Sequence, residues 1–204
     1  MPPLVHALVR ICLSRLGRVQ VVNMPNGYSP PGAVIVCNHV GWAESFWLGY
    51  ALYPHQVHFM AKRELFRSSL IAWVMKVSNA FPVDRDSPSR DSIRIAVDLL
   101  RSGKIVVMYP GGTRTQQEIL FKRGAAAIAG QAGVDLLPVF YQGPPTIRFG
   151  HLIHRAHINV TFGFPLRTAG CPRSKPQSRR LTEQLQESIY AMKTFSTRCD
   201  ELGA

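Results

Sequence analysis

A chain of 204 residues with 46% apolar content suits one ordinary domain and is too apolar for wholesale disorder. Its 24 Lys and Arg against 12 Asp and Glu give a net charge of +12, which favours polyanionic partners: nucleic acid, anionic lipid head groups or phosphorylated substrates. The four cysteines form no C-x-x-C pair, no apolar run is long enough for a transmembrane helix, and no secretory signal pattern opens the chain. A reduced, cytosolic setting is the expectation.

Residues 4–19 read as a basic amphipathic helix. His6, Arg10, Ser14 and Arg18 recur every four residues, with Leu4, Leu8, Ile11, Cys12 and Leu16 mostly opposite. Two readings fit: an interfacial helix turning its arginines to anionic lipid, and an ordinary helix packed on the domain. A loop holding Asn26-Gly27 and Ser29-Pro30-Pro31-Gly32 then leads into Ala33-Val34-Ile35-Val36-Cys37, a buried strand.

Asn38-His39-Val40-Gly41-Trp42-Ala43-Glu44 follows at once. It sets an imidazole at the mouth of that strand and a carboxylate five residues on. Histidine is the side chain best suited to move protons near neutrality, and a carboxylate can hold its tautomer. On a continuous helix, positions five apart are rotated by roughly 140° and share no face. The chain must therefore turn if the two are to meet, and Gly41 makes a turn easy. The plainer reading is a strand end followed by a helix that opens at Glu44-Ser45.

Further on, 45–52 reads as a helix apolar almost all round, 57–61 as a strand, and 65–77 as an apolar helix with Trp73 and Met75. Phe81-Pro82-Val83-Asp84-Arg85 falls in a short loop or edge strand, leaving Arg85 to face a cleft or to pair with Asp84 or Asp86. An amphipathic helix over 88–102 carries Ile93, Val97 and Leu100 on one stripe and ends at Gly103. The strand 105–109 runs directly into Pro110-Gly111-Gly112-Thr113-Arg114-Thr115. Two glycines let successive N–H groups share a concavity, and Arg114 adds a planar fork suited to phosphate. The spacing is not that of a P-loop.

Phe121-Lys122-Arg123-Gly124 opens a small-residue helix over 124–132. A strand over 134–141 is interrupted by Pro138, and 158–164 is a late strand. A basic stretch, 173–180, reads as a solvated loop before a last helix with Leu181, Leu185, Ile189 and Met192. Alternating strands and helices indicate a single α/β domain with a mostly parallel central sheet flanked by helices.

Four of these blocks, in this order, resemble the 1-acylglycerol-3-phosphate acyltransferase family of glycerolipid acyltransferases. The family has an N-H-x4-D block, an F-P-x-x-R block, an F-P-E-G-T-R block and a Pro-containing strand. Here they stand as Asn38-His39…Glu44, Phe81–Arg85, Tyr109–Arg114 and Leu137-Pro138-Val139, with Phe121-Lys122-Arg123-Gly124 matching a further basic element. The likeness covers roughly 33–145.

The resemblance implies that His39 is the general base and that Glu44 orients it. Arg85, Gly111, Gly112, Thr113 and Arg114 would hold the acceptor's phosphate, with Asn38 and Lys122 in support. It further implies a lysophospholipid acceptor, an acyl-CoA or acyl carrier protein donor, no metal and no cofactor. The expected organisation is an amphipathic, membrane-associating helix over 1–22 and an acyltransferase domain over 23–204. The protein would lie peripherally on the cytoplasmic side of an anionic membrane, with no nucleic-acid partner.

Two departures stand out. Glu44 replaces the family aspartate and is one methylene longer, so its carboxylate must retract or the backbone must shift. Gly111 replaces a glutamate beside the phosphate site, which opens the acceptor's identity to another lysolipid. These departures also leave room for a lipid-binding relative without catalysis. His151, His154 and His157, like His55 and His58, have spacing that a metal site could use, but lack nearby Cys or Glu partners. Trp42, Phe46 and Trp47 suit an acyl channel, a membrane contact or the core.

Overall fold

The computed structural model describes residues 3–24, 32–84, 89–109, 123–168 and 174–202. Among them, seven strands form one sheet: β1 (Gly17–Val22), β2 (Ala33–Cys37), β3 (Val57–Lys62), β4 (Ala80–Val83), β5 (Ile105–Met108), β6 (Asp135–Gln142) and β7 (Ala156–Phe162). Their order across the sheet is β1-β7-β6-β2-β5-β3-β4, parallel at every junction except β6–β7. The helices are α1 (Pro3–Leu16), α2 (Ala43–Ala51), α3 (Ser69–Val77), α4 (Arg90–Arg101), α5 (Gly124–Ala132) and α6 (Lys175–Leu202). This is the mostly parallel α/β architecture expected.

Two apolar layers hold the sheet. Val34 and Val36 of β2 pack toward α4, α5 and α6, while Ile35 and Cys37 pack toward α1 and α2. All five residues of β2 are fully buried, so the strand reads as a continuous apolar run, with none of the alternation of a half-exposed strand. The Ser89 hydroxyl caps α4 by accepting from the Ser92 N–H, and Gly103 at φ 78° supplies the left-handed turn that ends it.

The connectivity decides where a ligand can enter. From β2 the chain crosses to β3 and β4, returns to β5 beside β2, then passes to β6 on the other flank. The carboxyl end of β2 is thus a topological switch point, where connections diverge and a crevice opens. Asn38 and His39 are the first two residues beyond it.

Several expectations are corrected. The first helix stops at Leu16, so the appendage read over 1–22 is part helix and part sheet: Gly17–Val22 pairs with β7. Gly17 packs tightly there: a Cβ would lie 2.5 Å from the end of the Ile158 side chain and 2.6 Å from the Trp47 ring, so either must shift to admit one. Of the two arginines on α1, Arg15 is exposed, while Arg10 turns to the domain, as the packed-helix reading had it. The Arg10 guanidinium stacks over the rings of Tyr50 and Tyr53, at 4.8 and 4.2 Å, while Leu8 and Ile11 are exposed.

The strand read as broken at Pro138 runs unbroken through it; pairing with β7 begins only at Val139, and the Pro138 carbonyl accepts from the Gly163 N–H. Most of the basic stretch read as a loop is the start of α6. Pro176 fits its first turn, and the Ser174 hydroxyl accepts from the Gln177 N–H. Phe81 lies on edge strand β4, one of the two readings offered for its segment.

Candidate active site

Asn38 fastens the end of β2 to the end of β6. Its amide nitrogen donates to the Tyr141 carbonyl at 2.9 Å, and its amide oxygen accepts from the Tyr141 N–H at 2.7 Å. A side chain thus imitates a strand partner just where the ladder runs out, leaving no backbone group of Tyr141 unpaired.

His39 comes next. The chain turns through Val40, Gly41 and Trp42, then enters α2 at Ala43, which brings Glu44 back over the turn in the helix's first residues. One Glu44 carboxylate oxygen bonds His39 Nδ1. The other accepts from the N–H groups of Val40 at 2.7 Å and Gly41 at 3.0 Å. Glu44 is completely buried, and a buried carboxylate needs partners of this kind. The amino end of α2 adds a favourable dipole. The extra methylene relative to aspartate is accommodated because the carboxylate reaches back from α2 onto the turn.

With Nδ1 committed to a carboxylate, the imidazole is held as the Nδ1–H tautomer, and Nε2 is left with the lone pair. That is the arrangement of a general base whose partner also stabilises the imidazolium.

Two elements enclose the pair. From the end of β5, the Tyr109 ring lies 4.5 Å from that of His39 with planes 25° apart, and its hydroxyl bonds that of Ser45 at 2.7 Å. Burial first, and the Glu44 carboxylate second, push the Tyr109 hydroxyl well above its usual range; the same two causes raise Tyr141 and the Cys37 thiol. From the loop after β6, the Pro145 carbonyl accepts from the Ala43 N–H at 3.2 Å. The Tyr141 hydroxyl holds that loop by donating to the Pro144 carbonyl at 2.9 Å. Gly41 faces Pro145 so closely that a Cβ would lie 1.9 Å from its carbonyl oxygen.

Ser45 also borders an apolar groove of about 690 Å³ between α1, α2, β3 and α3. Ile11, Phe46, Tyr50, Phe59, Trp73 and Val77 supply most of its character. Of the three aromatics weighed for a channel, Phe46 lines this groove, Trp47 is buried in the core and Trp42 is exposed.

The structure brings Asn38, His39 and Glu44 together. Arg85, Gly111, Gly112, Thr113, Arg114 and Lys122 lie outside the described residues. Asp84 after β4 and Tyr109 after β5, residues of the second and third blocks, stand at the same carboxyl end of the sheet as His39, since these strands run parallel to β2. Among the described residues, no three His, Cys, Asp or Glu side chains come together as a metal-holding group, the three histidines of 151–157 included.

Sequence reasoning missed the roles of Tyr109, Ser45 and Pro145. One signal was available for Tyr109: it stands where the strand read over 105–109 meets the Pro110–Arg114 block.

Residues 18–142 match the family model described as Acyltransferase. A 1-acyl-sn-glycerol-3-phosphate acyltransferase of Bacillus subtilis (strain 168) is 37% identical over 196 residues, spanning 95% of this chain and 96% of that protein. A protein of the same description from Streptococcus pneumoniae (strain ATCC BAA-255 / R6) is 36% identical over 134 residues, 65% of this chain but only 49% of its relative. In fold, the chain is similar to the crystal structure of the 1-acyl-sn-glycerophosphate (LPA) acyltransferase, PlsC, from Thermotoga maritima. The TM-score is 0.68 at 21% identity, covering 93% of this chain and 80% of that one.

Proposed function

Because this chain belongs to the acyltransferase family, we propose that it moves a fatty acyl group from a thioester to the free hydroxyl of 1-acyl-glycerol-3-phosphate, giving phosphatidic acid for phospholipid biosynthesis. The observation that carries the reading is the buried Glu44 carboxylate on His39 Nδ1, set at the sheet's switch point.

In this reading His39 Nε2 takes the acceptor's hydroxyl proton while the oxygen attacks the thioester carbonyl. Glu44 stabilises the imidazolium as it forms. Collapse of the tetrahedral adduct breaks the C–S bond, and the imidazolium returns its proton to the leaving thiolate. No acyl-enzyme intermediate enters the sequence, and no cofactor or metal is assigned to it. The donor is an acyl-CoA or an acyl carrier protein.

Arg85, Arg114, Thr113 and the Gly111–Gly112 backbone are assigned to the acceptor's phosphate, with Lys122 in support. The apolar groove beginning at Ser45 suits an acyl chain in size and lining. Gly111, standing where the family has glutamate, favours a second reading with the same chemistry on a different lysolipid. A catalytically silent lipid binder would have no use for the fully bonded His39–Glu44 pair.

No helix among the described residues is long and apolar enough to cross a membrane. The +12 charge is assigned to an anionic membrane surface on the cytoplasmic side and to phosphorylated substrate, with no role for nucleic acid.

The test is a panel of lysolipid acceptors offered with acyl-CoA and acyl carrier protein, followed by mass spectrometry. Product is expected from lysophosphatidic acid, and His39→Ala should lower turnover by roughly 10²–10⁴-fold or more. Full activity in His39→Ala would remove the mechanism; exclusive use of another lysolipid would move the reading to that acceptor.

A further inference from the structure

The connection from β6 to β7 carries an apolar tip that neither the catalytic pair nor the groove uses. Phe149 is 92% exposed, Ile153 80% and Leu152 61%. Phe149 and Leu152 bound a single 3-10 turn, Phe149–Leu152, and Ile153 follows it. The Arg148 N–H donates to His151 Nδ1 at 3.2 Å across the turn. Scattered exposed apolar side chains need no explanation, but three crowded on one projecting turn do.

The tip is firmly mounted, and at a telling place. β6 runs parallel to β2, so the connection leaves the sheet at the edge that carries His39. Its first residues brace the catalytic turn through Pro145. Its far end is tied to α1: the Arg155 guanidinium donates to the carbonyls of Ser14 and Gly17. Leu8, on the same helix α1, is exposed as well.

Charge then selects the occupant. Arg148 and Arg155 flank the tip, and no Asp or Glu occurs from 136 to 182. A second copy of this chain would set like charges against each other, whereas an anionic lipid surface complements them.

We propose that the Phe149–Ile153 tip inserts into the interfacial layer of an anionic bilayer and thereby holds the His39 edge of the sheet against the lipid surface. This rests on the acyltransferase reading, in which the acceptor and product are lipids.

The test uses the full chain and sedimentation with vesicles of phosphatidylcholine alone or mixed with phosphatidylglycerol. The unaltered protein should partition onto the anionic vesicles. Phe149→Ser combined with Ile153→Ser should lower that partition by roughly tenfold or more. Arg148→Glu should weaken it on anionic vesicles selectively. Neither change should slow acyl transfer to a lysophosphatidic acid too short-chained to aggregate, assayed without vesicles.

Unchanged partition in both variants would overturn the proposal. So would a concentration-dependent dimer in sedimentation velocity that the serine changes dissolve while vesicle binding stays absent. Failure of the unaltered protein to turn over any acceptor would instead strike the acyltransferase reading, because vesicle partition is measured without turnover.

Discussion

Gly41 and Pro145 meet so closely that the Pro145 carbonyl oxygen occupies the space of a side chain at position 41, and the same oxygen accepts the Ala43 N–H at 3.2 Å. Residues a hundred positions apart thereby fix the turn that swings Glu44 onto His39. Gly41→Ala must push this backbone apart. Overpacking of that kind costs about 1–3 kcal/mol. The variant should melt earlier and lose acyl transfer, because the displaced segment carries the N–H groups that hold Glu44. A melting temperature and turnover equal to those of the unaltered protein would show that the turn tolerates the Cβ.

Glu44 has two tasks, and two substitutions separate them. In Glu44→Gln the amide oxygen satisfies the Val40 and Gly41 N–H groups only if the amide nitrogen faces His39 Nδ1. That forces Nδ1 to accept and places the ring proton on Nε2, where the base needs a lone pair. The chain should stay folded while kcat falls by roughly 10²–10⁴-fold. Glu44→Asp keeps the charge but shortens the reach from α2, so a fall of roughly 10–100-fold is expected. Circular dichroism with steady-state kinetics checks both. Equal activity in the glutamine variant would mean that the carboxylate does not set the tautomer.

Tyr109 separates stacking from hydrogen bonding. Its ring stacks on His39, and its hydroxyl reaches Ser45. Tyr109→Phe keeps the ring and loses one hydrogen bond, worth about 1 kcal/mol net. Tyr109→Ala leaves a void beside the imidazole, costing about 3–5 kcal/mol for a ring of this size. Thermal denaturation should show the second loss well above the first. Turnover should follow the same order, with the phenylalanine variant recovering most of what the alanine variant loses. The reverse order would assign Tyr109's contribution to its hydroxyl.

What was legible in the sequence depended on how local its cause was. β2, β3 and β5 announce themselves as apolar runs, and α4 by its stripe of Ile93, Val97 and Leu100. The His39–Glu44 meeting could be anticipated because both residues and the Gly41 turn lie within six positions. β1 could not, since its alternation follows a helix without a break and its reason to be a strand is β7, some 140 residues away. The orientation of Arg10 stayed open between two readings for a similar reason: Tyr50 and Tyr53, far along the chain, supply the rings that hold its cation. Tyr109 and Pro145 join the site because β5 and β6 flank β2, and pairing at that range leaves little trace in local pattern. The proposed phosphate-binding residues, Arg85 and Gly111–Arg114, were legible as motifs and lie outside the described residues.

Gly49 offers a test of the groove that leaves His39 and Glu44 untouched. It lines the groove from α2, and a Cβ built there meets nothing within 4 Å. Glycine inside a helix costs about 1 kcal/mol relative to alanine, so replacing it should not harm the fold. Gly49→Phe would project a ring into the space assigned to the acyl chain. Measured as kcat/KM across donors of increasing chain length, the penalty should grow with length, because longer chains reach further past Ser45 and Phe46. Each displaced methylene forfeits about 0.8 kcal/mol of burial, close to a fourfold loss, so a few carbons suffice for a clear slope. A uniform loss at every length would place the acyl chain elsewhere and leave this groove without a role in the reaction.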